Sequence, residues 1–108
     1  MKTLVASTAA LLFLAAAPFA AAAPAASETV SIPVSKAKLD LSNPRDAQRM
    51  MRRIDTAALE ACGADVHSLT EVKRAVAASA CHQDAVAGAV AQLHSTQASL
   101  TVTGVRNR

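Results

Sequence analysis

The sequence predicts a small α+β domain built as strand–helix–helix–strand. Three observations carry this. Apolar and polar residues alternate in two short stretches near the ends of the chain, Val30–Val34 and Leu100–Val105. Between them a helical pattern runs from Asn43-Pro44 to Gly63. A second helix-compatible stretch extends from Ser68 to His94. The chain has 108 residues, enough for one domain.

The elements follow in chain order. Residues 1–22 read as an export signal: Lys2 opens it, Leu4 to Phe19 carry no charge, and small residues follow. Cleavage after Ala22 or Ala25 satisfies the small-residue rule. The strongly apolar run is shorter than the ~20 residues that span a bilayer, and no second such run follows, so no transmembrane segment is expected once the signal is removed. Residues 23–28, rich in Ala, Pro and Ser, read as a flexible linker, and residues 29–108 as a single domain. Val30, Ile32 and Val34 then make one face of a strand, and Pro33 confines that strand to an edge or forces a bulge. The alternation resumes in the other phase at Ala37, Leu39 and Leu41, which places a bulge or kink near Ser35.

Ser42-Asn43-Pro44 starts a helix. Asn43 caps it, Pro44 needs no hydrogen bond at the first position, and Asp46 meets the positive end of the helix dipole. Ala47, Met50, Met51, Ile54, Ala58, Ala61 and Cys62 follow at helical spacing, and Gly63 closes the helix as a left-handed cap. Ser68 and Glu71 match a capping box. Beyond it, Val72, Val76, Val86, Val90 and Leu93 share one stripe only if the helix is unbroken, and Cys81 then lies half a turn away. Either the helix breaks near Ser79, or residues 80–94 are buried on two sides, with a valine face and a small face of Cys81, Ala85, Gly88 and Ala89. The second is the expectation taken here for 80–94, while 70–79 fit either. Leu100, Val102 and Gly104 alternate with Thr101, Thr103 and Val105 as the last strand.

Composition narrows the function. Of 27 alanines, 12 lie in residues 1–26, as do both phenylalanines, and the chain has no Trp or Tyr. The segment after residue 26 therefore has no aromatic ring for stacking bases or sugars, or for caging quaternary amines. Removal of residues 1–22 leaves 10 Lys+Arg against 8 Asp+Glu, a charge of +2. That charge disfavours nucleic acid as a partner. No Gly-rich phosphate loop and no marked nucleophile occurs, so a non-enzymatic protein without a cofactor is expected.

The run Leu39-Asp40-Leu41-Ser42-Asn43-Pro44, with Arg53-Ile54, Ala57-Ala58 and Ala61-Cys62-Gly63, resembles the UrcA family. So does Cys81 followed by Ala85-Val86 and Ala89-Val90. The resemblance covers about Val30 to Leu93. Lys36-Ala37-Lys38 stands where that family tends to carry an aromatic. The family comprises small exported bacterial proteins with two cysteines and no established biochemical activity, so the resemblance implies location and architecture but no reaction.

Cys62 and Cys81 enclose 18 residues and lie near facing helix ends. Export to the periplasm or beyond the cell favours a structural disulfide between them, stapling the two-helix hairpin. The competing use of the sulfurs is a metal site of Cys62, His67, Cys81 and His82, whose spacing fits no strong zinc motif. Met50 and Met51 read as core packing. Arg45, Arg49, Arg52 and Arg53 fall within ~100° on the solvent face of the first helix, opposite Ile54. Guanidinium groups so grouped suit bidentate binding of phosphate or carboxylate, and the plain alternative is a solvated helix face. The expected role is an interaction or accessory module of the cell envelope with a protein partner. The main alternative is binding of lipopolysaccharide or anionic lipid through the arginine stripe, and the second alternative is metal binding.

Overall fold

The computed structural model describes residues 26–107. The expected signal peptide lies outside the described residues. The elements run β1 (Ser27–Ser35), α1 (Pro44–Ala61), α2 (Thr70–Ala77), α3 (Ala80–Ala91) and β2 (Ser99–Asn107). The α+β class and the terminal strands stand, but the two-helix hairpin becomes three helices. Ser79 is the reason. Its extended backbone and its hydroxyl, which accepts from the His82 amide, open α3 as a new helix directly after α2. The strand begins at Ser27, inside the segment read as linker.

β1 and β2 pair antiparallel along their whole length, from Ser27 opposite Asn107 to Ser35 opposite Ser99. No bulge interrupts this register. The change of phase after Ser35 is instead a turn: the Leu39 amide bonds the Lys36 carbonyl, and Lys38 adopts a left-handed φ of 62°. Leu39 and Leu41 thus belong to the connection and not to a strand.

The inner sheet face presents Val30, Ile32 and Val34 beside Leu100, Val102 and Gly104, with α1 and α3 packed over it. The outer face is exposed and carries Thr29, Ser31, Thr101 and Thr103. Without aromatics, the core is small and depends on alanine. Met50, Ile54, Leu100 and Val102 are fully buried, and Ala57, Ala58, Ala85 and Ala89 let the helices approach closely.

Gly63 does end α1, with φ at 107°, and the amides of Gly63 and Ala64 return to the carbonyls of Glu60 and Leu59. This is the Schellman pattern. β2 completes the cap: Arg106 donates through Nε to the Ala61 carbonyl at 2.9 Å and through Nη2 to the Glu60 carbonyl. Gly104 lies against the same helix end. A Cβ there would meet the Ala61 carbonyl carbon and oxygen at 2.8 Å.

Three sequence expectations need correction. Ser68 does not cap α2, because its hydroxyl is engaged with the amide and carboxylate of Asp65. α3 does not bury two full faces: Ala85 and Ala89 are inside, but Gly88 of the expected small face is exposed, Val86 is half-buried against the core and Val90 is exposed. Two links from this end of α3 to α1 fix that rotation, Cys81 to Cys62 and His82 to Asp55. Met50 is core as expected, but Met51 is 41% exposed because it points along the opening between α1 and α3.

Candidate functional site

The arginine stripe is where the sequence and the structure meet. α1 places Arg49, Arg52 and Arg53 over the flank of β1. Together with Lys38 from the turn, they border an open groove of about 780 Å³ between α1 and β1. Ile32, Val34 and Ala57 give the groove an apolar floor, and Glu60 is the one acidic residue that lines it among the described residues. Arg45 does not line this groove. It lies in the first turn of α1, where its amide donates to the Asn43 side chain at 3.0 Å.

The three groove arginines are not equivalent. Arg53 donates from Nη1 to the Ser35 carbonyl at 2.9 Å, so it ties α1 to the end of β1. Arg49 lies 3.4 Å from Asp46, whose other oxygen accepts from the Asp40 amide. Arg52 has no ion-pair partner among the described residues and lies between this groove and a second, apolar one. The second groove, about 660 Å³, separates α1 from α3 and is lined by Met51, Val86 and Val90. The stripe therefore divides into three arginines that border the groove, of which Arg53 is also a structural tie to β1, and one outside it.

Cys62 and Cys81 form the disulfide, with Cα atoms 5.9 Å apart. Its sulfurs are thus not available as thiolate ligands, which overturns the metal set of Cys62, His67, Cys81 and His82. Among the described residues no three of His, Cys, Asp and Glu gather as a metal site.

His82 is what sequence reasoning missed. The sequence offered it as a metal ligand beside Cys81, yet it is buried, with Nε2 2.9 Å from an Asp55 oxygen. The signal was present in the spacing, since His82 lies on the small face of α3 three and seven residues before Ala85 and Ala89. The composition of that face hid it.

The turn carboxylates are tuned by local hydrogen bonds. The hydroxyl and amide of Ser42 hold Asp40 below the ordinary carboxylate range. The His67 amide and then the Ser68 hydroxyl do the same for Asp65. Both groups stay ionised at neutral pH and order the entry to α1 and the loop after it.

Comparison with protein-family models, with curated proteins and with solved structures finds no match. Among the described residues no helix is long and apolar enough to cross a membrane.

Proposed function

We propose that this chain is a small exported, non-enzymatic interaction module that holds an anionic partner in the groove between α1 and β1. One observation carries the reading: Arg49, Arg52, Arg53 and Lys38, from two separate parts of the chain, border the same open groove over an apolar floor. A helix face that only keeps a domain soluble has no need of a cationic turn converging on it from elsewhere. Guanidinium groups bind carboxylate and phosphate bidentately, and an apolar floor beside them adds contact area for a partner.

Export is supported by the signal-like residues 1–22, by the resemblance to the UrcA family, and by the disulfide, which is compatible with an oxidising compartment. An envelope protein is the partner class preferred here. Lipopolysaccharide or anionic lipid is the second reading, favoured by the same arginines.

The test is equilibrium binding of the oxidised protein to an acidic peptide, to lipopolysaccharide and to anionic vesicles over a range of salt. Binding that weakens steeply between low and physiological salt supports the proposal. Equal and negligible retention of all three probes at low salt would return the arginines to ordinary solvation.

A further inference from the structure

A cationic groove lies beside one edge of the sheet, that of β1, and this placement points to a kind of partner. In an antiparallel pair, successive residues direct their amide and carbonyl alternately toward the partner strand and away from it. The Lys36 amide bonds the Ala98 carbonyl, which continues the register and marks even-numbered positions of β1 as the inward, bonded ones. Odd-numbered positions of β1 therefore point outward. Two bonds agree. The Ser35 carbonyl receives Arg53. Across the sheet, Thr101 opposite Pro33 turns both backbone groups outward to the Gln92 side chain, at 2.9 and 2.8 Å. This also explains Pro33 in mid-strand: its nitrogen occupies an outward position, where the sheet needs no donor.

Gln92 thus covers the outer edge of β2 at Thr101, like a fragment of a third strand. Among the described residues the corresponding edge of β1 has one such bond, from Arg53 at Ser35. Among the described residues nothing bonds the outward amides of Thr29 and Ser31. The cationic groove lies along the Ile32–Ser35 end of this edge, next to Ser31. Ile32, Pro33, Val34 and Ser35 line it consecutively. Alternate residues of a strand face opposite sides of the sheet, so only the edge of a strand presents four in a row.

We infer that an extended acidic peptide segment of a partner protein adds as a third strand to the open edge of β1, its backbone pairing with Thr29, Ser31 and the Pro33 carbonyl and its carboxylates meeting Arg49 and Arg52. This inference rests on the anion-binding reading of the groove and gives that partner a conformation. Strand addition draws affinity from main-chain bonds and selectivity from alternate side chains. Here the alternate side chains that face α1 meet guanidinium groups, and those on the other side continue the exposed Ser/Thr face of the sheet. Charge complementarity chooses an acidic segment over a second copy of this chain, whose β1 edge would bring a second set of arginines to the same groove.

The experiment is an NMR titration of the oxidised protein with a short peptide of alternating glutamate and threonine, read by amide hydrogen exchange. Exchange at Thr29 and Ser31 is expected to slow about tenfold or more at saturation, while Val30 and Ile32, already bonded to β2, change little. The Arg49→Gln, Arg52→Gln pair should weaken binding about tenfold. A lysine–threonine peptide should not bind. Ser31→Pro removes an outward amide that the sheet does not use, so it should keep the fold and lose the peptide. A glutamate–threonine peptide N-methylated on alternate residues tests the same bonds from the ligand side, whatever Ser31→Pro does to folding. Peptide binding with Thr29 and Ser31 still exchanging freely overturns strand addition. Arginine-dependent binding of anionic vesicles with no peptide binding overturns it too, but leaves the groove reading intact. Concentration-dependent protection without peptide would show a second copy on the edge and overturn the acidic-segment inference. Failure of every anion to bind overturns both readings.

Discussion

Replacement of Gly104 by alanine tests the packing that holds β2 against α1. The added Cβ would stand 2.8 Å from the carbonyl carbon and oxygen of Ala61 and 2.9 Å from its Cβ. Two of these three atoms are backbone, so no rotamer change relieves the contact. Nor is the helix end free to retreat. Arg106 bonds the Ala61 carbonyl, and the next residue, Cys62, is tied to Cys81. Overpacking of this kind costs about 1–3 kcal/mol. In a domain of this size each kcal/mol moves Tm by about 4–8 °C, so a fall of about 5–20 °C is expected. Thermal unfolding followed by circular dichroism reads it. Ala61→Gly in the same chain removes one of the three contacts and should restore little, because the carbonyl remains. An unchanged Tm in Gly104→Ala, or full recovery with Ala61→Gly, would refute the close approach of strand and helix backbones.

Other consequences follow from the same contacts. Replacing Cys62 and Cys81 together by alanine opens the 18-residue loop and should lower stability by about 3 kcal/mol, measured by denaturant unfolding; a loss below about 1 kcal/mol would show that the staple is dispensable. Asp55→Ala removes the 2.9 Å partner of the buried His82 and should cost about 1–2 kcal/mol, whereas Asp84→Ala, on the exposed side of α3, should cost under about 0.5 kcal/mol. Equal effects of the two would deny the pair a role in orienting α3. Asp40 and Asp65 have folded-state pKa values below their unfolded ones, so their contribution to stability is present above the unfolded value near ~3.9 and is lost as pH falls through the folded one. NMR titration of their carboxyl carbons should give midpoints below the ordinary aspartate value near ~3.9, and midpoints at or above it would contradict the Ser42, His67 and Ser68 hydrogen bonds.

The sequence made α1 and the two strands legible because their signals are local. Asn43, Pro44 and Gly63 mark the helix by backbone chemistry alone, and strict alternation marks the inner faces of β1 and β2. The stretch between Ser68 and His94 was legible only in part: the mismatch of its stripes offered a break near Ser79 as one of two readings, and the structure takes it. Every residue there except Gly88 tolerates a helix, so propensity alone did not decide between the two readings. The break lies at Ser79, whose hydroxyl caps α3, and the disulfide and the His82–Asp55 contact tie the new helix to α1. The choice between the valine face and the small face is likewise tertiary, since α3 must approach both α1 and β2 closely, and alanine permits that where valine does not.

The candidate site was half legible. Helical spacing grouped Arg45, Arg49, Arg52 and Arg53, but it has no means to separate a residue that ties down a carbonyl from one that faces a groove. That separation comes from β1, whose Ser35 carbonyl engages Arg53 and whose edge forms the opposite wall. Lys38 joins the set only through the turn at Lys36–Leu39, a stretch that reads as strand from its alternation. Pro33 carried more information than its label as an edge marker, because its parity fixes which backbone groups face outward.

The central claim is that the groove, and not the overall positive charge, binds the anion. A charge-matched comparison tests it most directly. Arg49→Gln with Arg52→Gln removes two charges from the groove, and Arg45→Gln with Arg74→Gln removes two from elsewhere on the surface. Binding of each oxidised protein to one acidic peptide, measured across salt, should fall about tenfold in the first variant and stay within about twofold of the original in the second. Equal losses in both variants would reduce the stripe to general electrostatics and contradict the account.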